Sequence, residues 1–264
     1  MNKENKELFL NIDGVGELMN EYCMMLANSE SAQSHTILIH GDTGCGKTFF
    51  SEECKKKVIE KNSDVIEIDL IGIFKSSNYS SKKKLNKVLE IIEYELIEKG
   101  TFDKLKGQHD NPEIFQRILK KILMDTNRVL LIRFPEIEVF DEIEKYYAYF
   151  CNENTISYFI TEKRMIVEEC KKKIEKNITY FECKHLKEGD GKLFVENLFS
   201  DLESPKFNVD ELEQLMSNRP MDNKMTIKEL KKICEYTYSY AQKKGIKDIT
   251  NGTIALAMAY NSKL

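Results

Sequence analysis

Residues 41 to 48 read Gly-Asp-Thr-Gly-Cys-Gly-Lys-Thr and satisfy the phosphate-loop pattern G-x-x-x-x-G-K-[ST] at every fixed position. Gly41, Gly44 and Gly46 let the backbone fold tightly, so that its N–H groups, those of Asp42, Thr43 and Cys45 included, converge on phosphate oxygens. A helix opening near Phe49 adds partial positive charge at the same place. Lys47 would reach the β- and γ-phosphates, and the Thr48 hydroxyl would hold Mg²⁺. The implied chemistry is binding of a nucleoside triphosphate, with ATP and Mg²⁺ as the expected ligands. Cys45 sits at a variable position. A helix N-terminus lowers a thiol pKa, so alkylation or oxidation there is expected to disturb binding; the plainer reading is that a small residue fits.

That loop needs a strand before it and a helix after it. Thr36-Ile37-Leu38-Ile39-His40 is a β-branched apolar run that reads as a buried strand, and a helix is expected over about 47–62. Further strands are expected at 64–70, 128–132, 156–161 and 178–182. Helices are expected at 17–28, 82–99 and 139–152, and from Asn111-Pro112-Glu113, a cap-proline-acid start, to Thr126. A polar stretch with Ser76, Ser77, Ser80 and Ser81 precedes the 82–99 helix. Strands alternating with helices imply a parallel sheet covered on both faces. After His185-Leu186 the pattern changes to helical segments at about 189–202, 208–217, 226–244 and 250–260 with no strand. Ser204-Pro205, Arg219-Pro220, Gly245 and Asn251-Gly252 punctuate them. The expected organisation is an α/β nucleotide-binding domain over 1–186 and a small all-α domain over 187–264.

Composition narrows the field. Of 264 residues, 41% are hydrophobic and 32% charged, and only five of the 40 basic residues are arginines. A net charge of −4 argues against a domain whose main task is coating nucleic acid. Seven cysteines without a C-x-x-C pair give no readable zinc site and suit a reducing compartment. The polar start Met1-Asn2-Lys3-Glu4-Asn5-Lys6 is no signal peptide, and no apolar run reaches the roughly 20 residues of a membrane span. A cytoplasmic location, or a nuclear one in a eukaryote, is expected.

With the phosphate loop, the sheet and the C-terminal helices in this order, the chain resembles the AAA+ ATPases over nearly its whole length. Met225-Thr226-Ile227-Lys228-Glu229-Leu230 looks like the start of the family's third lid helix, and the segment from Ile249-Thr250 to Ala257 looks like its closing helix. The resemblance implies a P-loop NTPase fold, a parallel sheet of about five strands, and a helical lid. It places Lys228 at the sensor 2 position, which tracks the γ-phosphate, and Thr161 at sensor 1, where a small polar side chain orients the attacking water. For both residues the bland alternative is a solvated or strand-ending side chain.

One motif departs from that family. Its Walker B strand ends in Asp-Glu, the first holding Mg²⁺ and the second activating water. Here Val129-Leu130-Leu131-Ile132 runs into Arg133-Phe134-Pro135-Glu136. Either Glu136 or Glu138 swings back after Pro135 to serve as the catalytic acid, or hydrolysis is slow or absent. Asp69 is a minor rival. The expected trans-acting arginine is missing; Lys171, Lys172, Lys173 and Lys176 stand in its region, with Arg164 the nearest arginine. The runs Lys55–Lys57, Lys82–Lys84 with Lys87, and Lys243–Lys244 with Lys247 read as solvated helix faces or as a DNA-facing stripe. Two functions follow. One is an ATPase or switch that oligomerises and acts on DNA or a protein partner, like the family's initiator, helicase-loader and transposition-regulator branch. The other is a non-hydrolysing ATP-binding subunit of a larger complex, for example one gating a nuclease in phage defence. A small-molecule kinase is disfavoured, because no second substrate motif is visible.

Overall fold

The computed structural model describes residues 14–28, 35–74, 80–99, 102–174, 178–199, 205–219 and 224–261. The polar N-terminus, Ser76, Ser77, Lys176, Ser204 and Pro220 lie outside them. The chain divides into two compact units. One holds the described residues up to Leu18, then Asp42–Gly46, then those from Cys183 onward; the other holds Met19–Gly41 and Lys47–Glu182.

The larger unit is built on a five-stranded parallel sheet in the order β2-β3-β4-β1-β5. The strands are β1 (His35–His40), β2 (Val65–Asp69), β3 (Val129–Arg133), β4 (Thr155–Thr161) and β5 (Ile178–Glu182). Every residue of β3 and β4 is buried, as a strand covered on both faces requires. Helices α1 (Val15–Asn28), α2 (Lys47–Lys61), α3 (Ser81–Glu98), α4 (Pro112–Thr126), α5 (Phe140–Phe150) and α6 (Arg164–Lys173) connect or precede the strands. The α4 start is as the sequence requires: the Asn111 side chain accepts from the Ile114 N–H with Pro112 at the first position. The core runs through Leu89, Ile92, Phe115, Leu119, Leu130, Ile132, Phe134, Tyr146 and Phe159.

In the smaller unit α7 (Asp190–Phe199), α8 (Val209–Ser217), α9 (Ile227–Lys244) and α10 (Asn251–Asn261) share a core of Phe194, Leu212, Leu230, Ile233, Cys234, Ala241, Ile249 and Ile254. The expectation that no strand follows His185 is corrected. Strands β6 (Lys206–Phe207) and β7 (Asp248–Ile249) pair in parallel, each too short to leave a periodic signature. Helix α9 starts with a capping box: the Glu229 N–H donates to Thr226 Oγ1 at 3.3 Å, and the Thr226 N–H to Glu229 Oε2 at 2.9 Å. Thr226→Ala removes the cap acceptor and is expected to cost about 1–2 kcal/mol in denaturant unfolding. An unchanged midpoint would show that the box contributes nothing.

Candidate nucleotide site

The crest of the phosphate loop belongs to the smaller unit. Gly44 has φ +86° and Gly46 +82°, conformations that L side chains adopt only with strain. At Gly44 space is a second constraint, since a Cβ there would lie 2.8 Å from Thr226 Oγ1 and 3.1 Å from Lys228 Cβ. The backbone N–H of Lys228, in the first turn of α9, donates to the Gly44 carbonyl at 3.2 Å. The sensor 2 candidate is thus anchored through its backbone on the loop crest, while its side chain is exposed. Asp42 meets His185, Oδ2 to Nε2 2.6 Å, and the other ring nitrogen of His185 faces the Lys224 carbonyl at 3.1 Å. Thr43 is exposed. Cys45 is only 3% exposed, which suits the plainer reading that a small residue fits there.

In the larger unit Lys47 is 6% exposed, and its ammonium donates to the Gly41 carbonyl at 2.8 Å. It also meets the Glu162 carboxylate at 3.3 Å. Glu162 immediately follows Thr161 at the end of β4, and sequence reasoning missed it. Glu136 belongs to the same charge environment. Burial first, then the neighbouring Glu162 carboxylate, holds its carboxyl above the usual range, with Lys47 and Lys84 pulling the other way.

The backbone that presents Glu136 is pinned from four directions. Lys84, buried on α3, donates to the Glu136 carbonyl at 2.6 Å. Thr161 donates its hydroxyl to the Ile137 carbonyl at 2.9 Å, Glu142 accepts the Glu138 N–H at 3.0 Å, and Lys163 donates to the Glu138 carbonyl at 2.8 Å. The Thr161 hydroxyl also accepts from the Lys163 N–H at 3.1 Å. It is therefore engaged in shaping this loop, and the charged group at the end of β4 is Glu162.

The two Walker B substitutions have different fates. Phe134 is fully buried and stacks on Tyr146 and Phe159, with centroids 4.5 and 4.6 Å apart. Arg133 is 2% exposed, and its Nη1 binds Asp69 at 2.9 Å and Glu52. Lys55 joins the cluster, 2.9 Å from Glu52 and 2.8 Å from Glu67. Asp69, the minor rival acid, lies beside Arg133 in the β2–β3 register and is taken up by it. Glu52 lies one turn along α2 from Thr48, on the same helix face. Within the larger unit a helix start and a buried lysine fit a phosphate. For Mg²⁺ that unit offers the exposed Thr48, with a guanidinium where the acid was expected. No group of three or more His, Cys, Asp or Glu among the described residues could hold a metal ion. Phe49 is half-buried behind Thr48.

The remaining basic residues divide. Lys84 is paired with Glu142 inside the fold, and Lys55 lies within the Arg133 cluster. Lys56, Lys57 and Lys87 pair with glutamates on their own helices. Arg164 is exposed at the first position of α6. No helix among the described residues is long and apolar enough to cross a membrane.

No curated relative matches the chain. Solved structures do. The ORC2 protein of Aeropyrum pernix, in ADPNP–ADP complexes, aligns over 98% of this chain and 71% of its own with a TM-score of 0.61 and 14% identity. The Aeropyrum pernix ORC1 protein in complex with DNA aligns over 93% and 64%, at 0.60 and 12%. Drosophila ORC bound to DNA aligns over 92% and 59%, at 0.60 and 12%. This chain thus spans less than two thirds of the latter two. At such identities the likeness is one of fold alone. The model of the KAP family P-loop domain matches residues 17–203, most of the chain, including the whole phosphate loop and the sheet. The chain belongs to the KAP family of P-loop NTPase domains.

Proposed function

We propose that the chain is an ATP-binding switch with slow hydrolysis, in which the Glu136 carboxylate is the displaced general base. The observation that carries this reading is the shared charge environment of Glu136, Glu162 and the phosphate-loop lysine. A carboxyl raised above its usual range is a stronger base once ionised, which suits activation of water. Lys47 binds the phosphates, the loop N–H groups surround them, Thr48 holds Mg²⁺, and Mg²⁺ when bound supplies charge neutralisation. Lys228 reports nucleotide state from the first turn of α9. Residues 1–186 act as the nucleotide domain and 187–264 as its lid. Assembly of several copies on ATP, and action on DNA or a protein partner, follow the reading that the solved neighbours suggest, two of which were captured with DNA.

Turnover of ATP by the purified chain tests this. Glu136→Gln is expected to lower turnover about 10²–10³-fold and to leave ATP affinity intact. Because Glu136 acts ionised, turnover should rise with pH through its raised pKa. Equal turnover in the variant removes Glu136 from the chemistry. Tight ATP binding by the wild type without turnover supports instead the non-hydrolysing regulatory subunit, a reading favoured by the burial of Arg133 and Phe134 in the Walker B positions.

A further inference from the structure

The contact between Glu162 and Lys47 joins residues 115 positions apart. It pairs a nearly buried ammonium with a carboxylate whose side chain is 38% exposed. The two partners therefore differ in freedom. Lys47 is fixed by its own loop through the Gly41 carbonyl. Glu162 sits in the bend between β4 and α6 and is exposed. Its backbone neighbours stay in place, because Thr161 and Lys163 are tied to Ile137 and Glu138.

A phosphate-loop lysine serves the β- and γ-phosphates. Glu162 offers that same ammonium a negatively charged oxygen. A terminal phosphate and the Glu162 carboxylate are thus rivals for one donor group. A nucleoside diphosphate needs less of Lys47 and leaves room for the carboxylate contact. A triphosphate claims the ammonium more fully. It also adds negative charge beside two carboxylates, of which Glu136 already feels Glu162.

Resting on the nucleotide-binding reading above, we propose that Glu162 is a tethered competitor of the terminal phosphate, and that it biases the site toward nucleoside diphosphate over triphosphate. The contact with Lys47 is released when a triphosphate binds and restored when only a diphosphate remains. Nucleotide state is thereby converted into the position of one side chain at the start of α6. The plain alternative is an ion pair that nucleotide merely brushes aside without preference.

The test compares full-length wild type, Glu162→Gln and Glu162→Asp by titration calorimetry. The ligands are ADP and a non-hydrolysable ATP analogue with Mg²⁺, and thermal unfolding serves as the control for folding. Glu162→Gln keeps the shape and removes the charge. It should tighten the triphosphate analogue about tenfold and change ADP by less than about twofold. Glu162→Asp keeps the charge but retracts it by one methylene, and should fall between. Equal shifts for both nucleotides, or none for either, overturn the proposal, since the carboxylate then does not discriminate. If neither wild type nor variant binds either nucleotide, the nucleotide-binding reading fails and takes the proposal with it.

Discussion

Lys47→Ala is expected to weaken ATP binding by at least about 100-fold, because one charge-assisted contact to phosphate is worth about 1.5–3 kcal/mol and a second phosphate oxygen shares the same ammonium. Two other ammoniums of the larger unit are already committed. Lys84, another buried ammonium of that unit, is held by the Glu136 carbonyl and Glu142. Lys163 is held by the Glu138 carbonyl. Neither can take over without abandoning the loop that carries Glu136. The fold itself should tolerate the change. The hydrogen bond from Lys47 to Gly41 and its ion pair to a half-exposed glutamate are each worth little, so the melting temperature should move by only a few degrees. Calorimetric titration of the variant with ATP decides the matter. An affinity within threefold of wild type would mean that the loop does not bind phosphate through its lysine.

Arg133→Asp has the second large effect, and it runs opposite to motif logic. Restoring the family's acid at this position looks like a repair. In the structure the guanidinium binds Asp69 and Glu52, with Lys55 and Glu67 completing the cluster. The Glu52 carboxyl lies below its usual range: burial would raise it, but the Lys55 hydrogen bond and the Arg133 charge outweigh burial. An aspartate here would face two carboxylates with a single lysine between them, in a site that is 2% exposed. Breaking a buried pair costs about 3–5 kcal/mol; the partial exposure of Glu52 and Asp69 places the expected loss near the lower end, before the added repulsion. Denaturant unfolding should show that loss, with no gain in ATP turnover. A stable variant with faster turnover would show that Arg133 only blocks a functional metal position.

What the sequence disclosed and what it hid follow from the range of the interactions. The phosphate loop was legible because its geometry is local: glycines, a preceding apolar strand and a helix start lie within about fifteen residues. The sheet strands were legible as apolar runs, and Asn111-Pro112-Glu113 marked the start of α4. Glu162 stayed hidden although it adjoins Thr161, because its partner lies on another strand's loop. Lys84 was hidden by its neighbours. In a run of three lysines it read as solvated surface, whereas the turn of α3 carries it inward while Lys82 and Lys83 stay exposed. Arg133 and Phe134 were visible as departures, but the carboxylates and rings that accommodate them come from α2, β2, β4 and α5. The β6–β7 pair lies below any detectable period.

The stack of Phe134 on Tyr146 and Phe159 also bears on how such a chain can change over generations. A glutamate at residue 134 would replace a fully buried ring, lose both stacks and leave its carboxyl held neutral by burial, so that step alone destabilises the domain and supplies no ionised base. The aspartate step at residue 133 fails for its own reason. Each substitution needs its surroundings rebuilt, and the two surroundings meet at Tyr158, which pairs with Arg133 in the β3–β4 register and accepts the Phe134 N–H. An Asp-Glu pair at residues 133 and 134 is therefore out of reach of single substitutions.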